Sequence, residues 1–214
     1  MKLVVSNVNK TIRRKTILSD INLCLESGKI YGFVGRNGSG KTMLFRALSG
    51  LMKTDSGSIV WDGKTLYRDM AVLPNLGIII ENAGLYPGLT GIQNLTYLAG
   101  LTKKIGKEEI ADAILRVGLD PHDKRIYGKY SLGMKQRLAI AQAVMEKPDI
   151  IMLDEPTNAL DETGVEEIRK VILEEKERGA LILVASHNKE DIHVLCDELY
   201  KVESGRVVKQ EVSL

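Results

Sequence analysis

The stretch Gly35-Arg36-Asn37-Gly38-Ser39-Gly40-Lys41-Thr42 fills every position of the pattern G-x-x-x-x-G-K-[ST]. The apolar run Ile30–Val34 precedes it, and residues 43–51 follow with the spacing of a helix that closes near Gly50. Strand, glycine-rich loop and helix in that order make a phosphate-binding loop. Its glycines let successive backbone N–H groups turn toward phosphate oxygens, where a Cβ would obstruct them. The N-terminus of the following helix adds partial positive charge. In such a loop Lys41 reaches the β and γ phosphates, and the Thr42 hydroxyl is a ligand for Mg2+. Gly35, Arg36, Asn37, Gly38, Ser39, Gly40, Lys41, Thr42 and the adjoining Met43 are therefore the candidate nucleotide-binding residues. The loop leaves the use of the nucleotide open, because kinases, GTPases, helicases and transport ATPases share it.

A second apolar run, residues 150–153, ends in Asp154-Glu155. A carboxylate at a strand's end can hold Mg2+, and its neighbour can orient and deprotonate an attacking water. Asp154 suits the first role and Glu155 the second. Leu181–Ala185 is another short, bounded apolar run, and both runs suit buried parallel strands. Between them, residues 165–178 place apolar side chains at 165, 168, 171 and 172 opposite a face dense in Glu, Lys and Arg, which predicts a solvated amphipathic helix. Residues 82–147 read as mainly helical, with the last helix over 132–147 stopped by Pro148. Residues 2–8, 17–26 and 58–62 read as strands, which predicts a small antiparallel sheet beside the main one.

The 214 residues are ample for a hydrophobic core, and the alternation of short apolar runs with helical patterns indicates an α/β architecture. Lys plus Arg is 30 and Asp plus Glu is 28, so the formal net charge is +2. That balance argues against a general nucleic-acid binder, which carries a basic excess. No apolar run approaches the roughly 18–20 residues of a membrane span, and the N-terminus turns polar too early for a signal peptide. Cys24 and Cys196 match no metal-ligand spacing and read as reduced thiols of a cytosolic protein.

The order of these motifs resembles the nucleotide-binding subunit of an ABC transporter, over essentially the whole chain. Tyr130-Ser131-Leu132-Gly133-Met134 stands where that family keeps its Leu-Ser-Gly-Gly-Gln signature, with matches at Ser131 and Gly133, and Gln136-Arg137-Leu138 follows. Asn158-Ala159-Leu160-Asp161 resembles the D-loop, and Ser186-His187 the switch histidine. The resemblance implies a P-loop NTPase fold: a RecA-like, mostly parallel sheet in residues 1–80 and 148–214, a small N-terminal antiparallel β-subdomain, and an inserted helical subdomain over 82–147. All of residues 1–214 then form one ATPase domain. It also implies that two copies sandwich two ATP molecules with Mg2+. Each site combines Gly35 to Thr42, Glu81, Asp154, Glu155 and His187 of one chain with Ser131, Gly133 and Asp161 of the other. The partners implied are separately encoded transmembrane permease subunits and a second ATPase subunit, without nucleic acid. The chain would then lie in the cytoplasm, peripheral to the inner face of the membrane.

Three positions depart from the family pattern. Glu81 stands where a glutamine is usual, and still offers an oxygen to Mg2+ and the lytic water. Together with Tyr-Ser-Leu-Gly-Met, Leu85-Tyr86-Pro87-Gly88-Leu89-Thr90 and Asn94-Leu95, it resembles the exporters linked to bacitracin and lantibiotic immunity. Ile12 falls where many members carry an aromatic residue that stacks on adenine, with Arg13 and Arg14 as alternative stacking groups. Leu132 and Met134 enlarge the signature. A length of 214 residues fits a minimal cassette without a fused membrane domain.

Two other readings compete. Asp161-Glu162-Thr163-Gly164 and Asn188-Lys189-Glu190-Asp191 fit the GTPase patterns D-x-x-G and N-K-x-D. The first comes too late after Thr42, and the two lie too close together, for a compact GTPase domain. An ABC-type ATPase acting on DNA or ribosomes would typically add a long coiled coil or a second cassette. This chain has no heptad run and only one phosphate loop.

Overall fold

The computed structural model describes residues 1–80 and 84–210. Glu81 lies outside the described residues. Strands β1 (Lys2–Ile12) and β2 (Lys15–Glu26) form a long antiparallel pair. Strand β3 (Ile30–Val34) leads into the phosphate loop and helix α1 (Lys41–Ser49). Strands β4 (Ser56–Trp61) and β5 (Lys64–Thr65) complete a four-stranded sheet of order β2-β1-β4-β5. After β6 (Leu76–Ile79) come helices α2 (Gly91–Thr102), α3 (Lys107–Arg116) and α4 (Leu132–Val144). Strand β7 (Ile150–Asp154), helix α5 (Glu162–Glu177), strand β8 (Leu181–Ala185), helix α6 (Lys189–Leu195) and the hairpin β9 (Glu198–Glu203) with β10 (Arg206–Gln210) finish the described chain.

The main sheet has the order β10-β9-β3-β8-β7-β6. It is parallel from β9 to β6, with β10 added antiparallel at one edge. This bears out the α/β reading and the small N-terminal antiparallel sheet. Alternation along the central strands divides the core. Ile150, Met152, Leu181, Leu183 and Ala185 pack with the antiparallel sheet and with Leu44, Phe45 and Leu48 of α1. Ile151, Leu153, Ile182 and Val184 point the other way, toward α4 and α5. A strand buried on both faces has no polar face, which is why these runs read as continuously apolar.

Several elements differ from expectation at their edges. Helix α1 begins at Lys41 rather than Met43, because Gly40 adopts φ 111° and serves as its N-cap. Helix α4 ends at Val144, three residues short of the expected end, and Lys147 turns at φ 50° before Pro148. Strands β5, β9 and β10 and helix α6 carried no distinct sequence signal. Helix α6 is only seven residues long, and β10 is an edge strand with one half-buried residue and four exposed ones.

The turn residues of the two GTPase-like patterns do structural work. Asp161 caps α5 by accepting the Gly164 N–H at 3.0 Å. Asn188 caps α6, accepting from Glu190 N at 2.9 Å and Asp191 N at 3.4 Å. Helix caps account for both fragments without any base-recognition role.

Gly77 of β6 lies against α4 so closely that a Cβ there would overlap the carbonyl oxygen of Ala143. Gly77→Ala should therefore push β6 and α4 apart at a cost of about 3 kcal/mol. A urea titration followed by circular dichroism should show the lowered midpoint at unchanged slope; an unshifted midpoint would mean that the helix yields freely.

Candidate nucleotide-hydrolysis site

The phosphate loop closes on itself through the Ser39 N–H, which donates to the Arg36 carbonyl at 3.0 Å. Gly38 and Gly40 hold φ 77° and 111°, a region that disfavours any side chain. Gly35 is needed for a different reason: a Cβ there would run into the Val202 carbonyl and the Ser39 side chain. The hairpin turn between β9 and β10 braces the loop from outside, where the Gly205 N–H donates to the Ser39 carbonyl at 3.3 Å. Helix α1 has no side-chain cap and no acidic residue in its first turn. Its first N–H groups are thus left for an anion.

Lys41 is buried and its Nζ donates to the Gly35 carbonyl at 2.7 Å. The Thr42 hydroxyl donates to Asp154 Oδ2 at 2.6 Å, joining the start of α1 to the end of β7. Glu155 follows with φ 52°, in the left-handed region that a non-glycine residue occupies at a cost. Two anchors hold it there. Its N–H donates to the Ala185 carbonyl at 2.7 Å, and Gln136 Nε2 donates to the carbonyls of Glu155 and Pro156 at 3.1 and 3.0 Å. The side chain meets His187, whose Nδ1 lies 2.8 Å from Glu155 Oε2 and whose backbone N–H reaches the same oxygen at 3.3 Å. An ionised carboxylate only accepts, so Nδ1 carries the proton in this pair.

Two cavities share the phosphate loop as a common wall. The smaller, of about 380 Å³, is lined by Asn37, Gly38, Lys41, Thr42, Gln136, Asp154, Glu155 and Asn158. It gathers a cation, a hydroxyl and two carboxylates. The larger, of about 1370 Å³, runs along Gly35 to Gly40, Thr42, Met43 and His187 to Lys15, Thr16 and Ile17. A polyphosphate fits the first, and a sugar and base the second. Among the described residues, no Phe, Tyr or Trp lines the larger cavity. Ile12, expected near the base, does not line it either; the neighbouring strand start, Lys15 to Ile17, does.

The donors present suit both groups that the sequence implies. The Ser39 hydroxyl is buried within the phosphate loop with no hydrogen-bond partner among the described residues, an orphaned polar atom in a cradle shaped for oxyanions. Thr42 and Asp154 offer two hard oxygens side by side. Among the described residues no cluster of three or more His, Cys, Asp or Glu could hold a metal by itself. Such a pair fits Mg2+, which keeps several waters and takes further oxygens from phosphates.

Ser131, Gly133 and Asp161 stand apart from both cavities. Ser131 caps α4, accepting the Met134 N–H at 3.2 Å, and Leu132 beside it is 71% exposed. Gly133 lies against the Ala159 carbonyl, and Asp161 faces Arg137 of α4 at 3.5 Å. None of these three lines either cavity of its own chain. Gln136 is the site residue that sequence reasoning passed over; it appeared only as an alignment landmark, since nothing in its local pattern reveals contact with residues 155 and 156.

Comparison with known proteins identifies the family. A family model described as "ABC transporter" matches residues 18–158. An ABC transporter ATP-binding protein of Bacillus subtilis, YybJ, is 48% identical over 207 residues, covering 97% of this chain and 95% of the relative. The lantibiotic transport ATP-binding protein SrtF of Streptococcus pyogenes is 34% identical, covering 98% of this chain and 90% of its own. The bacitracin transport ATP-binding protein BcrA of Bacillus licheniformis is 37% identical, covering 96% and 68%. Among solved structures, the cassette MJ0796, captured as a dimer in a post-hydrolysis state with ADP and Pi, superposes with a TM-score of 0.87 at 22% identity over 99% of both chains.

Proposed function

The chain belongs to the ABC transporter family, as an ATP-binding subunit that hydrolyses ATP, and on that premise we propose that it powers a bacterial exporter of the antibiotic-resistance or immunity type. The relatives SrtF and BcrA, named for lantibiotic and bacitracin transport, support the exporter assignment. Two copies sandwich two ATP molecules, with Ser131, Gly133 and Asp161 of each chain facing the nucleotide of the other. Their absence from the lining of their own chain's cavities supports that arrangement. The chain works at the cytoplasmic face of a membrane, held there by permease subunits. Among the described residues no helix is long and apolar enough to cross a membrane.

In hydrolysis, ATP lies along the phosphate loop with its γ-phosphoryl group in the smaller cavity. Lys41 and the first N–H groups of α1 balance the phosphate charge. Thr42 and Asp154 would hold Mg2+, which when bound would supply positive charge to offset the phosphates; Glu81, outside the described residues, is the further oxygen the family resemblance implies. Glu155 takes a proton from water; the new P–O bond forms as the bond to the bridging oxygen breaks, and ADP leaves with that electron pair. His187 orients the Glu155 carboxylate through Nδ1, and its second ring nitrogen remains for the γ-phosphate. The observation that carries this reading is the convergence of Lys41, Thr42, Asp154, Glu155 and His187 around one phosphate loop. ATP completes the dimer contact and hydrolysis removes that differential binding, which is the switch a transporter needs.

The permease contact is assigned to the helical region after Glu81. Tyr86 and Tyr97 of that region stack edge to face with ring centroids 5.3 Å apart, each about half exposed, and Leu101 is exposed beside them on α2. Asn94 pins the loop that presents Tyr86: it accepts the Tyr86 N–H at 2.7 Å and returns Nδ2 to the Tyr86 and Thr90 carbonyls. An exposed apolar patch on a braced loop is a docking surface. Coexpression with a multi-span membrane protein, where one is encoded beside its gene, tests the assignment. The wild-type chain should copurify with it in detergent, and Tyr97→Asp should lose the membrane protein while keeping ATP binding. A wild-type chain that hydrolyses ATP but never copurifies with that protein would refute the transport reading.

A further inference from the structure

Asp191 of α6 is completely buried, yet it lines neither cavity. Its Oδ1 accepts two bonds from Arg169 of α5, from Nε at 2.9 Å and Nη2 at 2.7 Å. Its Oδ2 accepts the hydroxyl of Thr157. Arg169 is itself buried and sends Nη1 to Glu190 at 3.0 Å. Thr157 is buried as well, in the turn two residues past Glu155. A single carboxylate therefore joins three segments. One carries Glu155, one carries His187 and continues through Asn188 into α6, and one begins at Asp161 and becomes α5.

Stability alone does not account for this arrangement, because a buried ion pair is often no more stable than apolar packing of the same volume. Register does account for it. The Glu155–His187 bond spans two separate loops, and its 2.8 Å length depends on where those loops sit relative to one another. Glu155 is also held at φ 52°, which persists only where its surroundings over-determine the backbone. Thr157 anchors that turn to Asp191, and Gln136 anchors it to α4.

We infer that Asp191, with Thr157 and Arg169, is the positioning group that sets the Glu155–His187 pair for attack on the γ-phosphate. The inference rests on the hydrolytic roles proposed above for Glu155 and His187. Asp191 touches no substrate; it acts through the two loops it joins. A misplacement of about 1 Å in a reacting group can lower turnover by up to about 100-fold, so removing one of several anchors should cost about tenfold.

Steady-state ATPase kinetics on the purified full chain test this, with thermal melts on every variant. Thr157→Val, which removes the hydroxyl at nearly constant shape, should lower kcat about tenfold and leave KM for ATP within about twofold. Thr157→Ser should restore kcat to within about twofold of wild type. Asp191→Asn should fall in the same direction, and Thr157→Val should add little on top of it, since both break one linkage. If Asp191→Asn does not fold, the Thr157 pair decides alone. A kcat for Thr157→Val within twofold of wild type would overturn the inference. So would a loss of kcat that rises with KM and tracks a lowered Tm, or that Thr157→Ser fails to rescue. Glu155→Gln, measured alongside, separates the two levels. If it hydrolyses ATP like wild type, the hydrolytic assignment fails; if it is inactive while Thr157→Val is normal, only the positioning role fails.

Discussion

Glu155→Gln should bind ATP within a few-fold of wild type and turn over about 1000-fold more slowly. The amide keeps the size of the carboxylate and still offers an oxygen to His187 Nδ1, now at 2.8 Å from the acid. It has lost the basicity needed to take a proton from water, and general-base assistance is worth about 100- to 10,000-fold. The backbone anchors of residue 155, the Ala185 carbonyl and Gln136, do not involve the side chain and remain. ATP should therefore bind and persist, and gel filtration with ATP should show dimer accumulating. Turnover within about threefold of wild type would remove Glu155 from the role of base.

Lys41→Ala should weaken ATP binding by at least about 100-fold, or roughly 2.7 kcal/mol. Lys41 is the buried cation of the smaller cavity, and that cavity otherwise holds two carboxylates. Without it, the phosphates would meet Asp154 and Glu155 with only the loop N–H groups and Mg2+ to offset their charge. The fold should survive, because the residue lost contributes one hydrogen bond to Gly35 and no large apolar surface. Equilibrium binding of a fluorescent ATP analogue, with a thermal melt as control, checks both halves. Tight binding by a folded Lys41→Ala protein would show that the backbone cradle alone carries the affinity.

These two variants probe residues that were legible before any coordinates, and the reason is local. The phosphate loop is contiguous, so its glycines, lysine and threonine announce their chemistry by spacing. Asp154 and Glu155 end an apolar strand, and a pair of acids at the end of a buried strand has few other uses next to such a loop. Ser131 and His187 were reached by resemblance, and the structure gives each a physical setting: a helix cap for one, a bond to Glu155 for the other. The adenine end was less legible. Ile12 was placed by its resemblance to the family's stacking position, whereas Lys15 to Ile17 line the cavity.

What stayed hidden depends on contacts between segments distant in sequence. Gln136 reads as one polar residue in a helix until α4 is seen to lie against residues 155 and 156. Asp191 reads as part of a GTPase-like tetrapeptide until burial and Arg169 explain it. The hairpin β9–β10 carries no pattern of its own, yet its turn braces Ser39 and its strand blocks any side chain at Gly35.

The sequence by itself determined the class of this protein: an α/β ATPase built around one phosphate loop, with its lysine, the hydroxyl and carboxylate proposed to hold Mg2+, and the carboxylate proposed as base. Short-range backbone geometry and strand burial demand those residue types at those spacings, so they leave a linear trace. Only the tertiary structure decided how the base is held, through a left-handed Glu155, its partner His187 and the buried carboxylate that joins their loops. Those relations are set by the packing of α4, α5 and α6 against the sheet, and packing between distant segments leaves no periodicity in the chain.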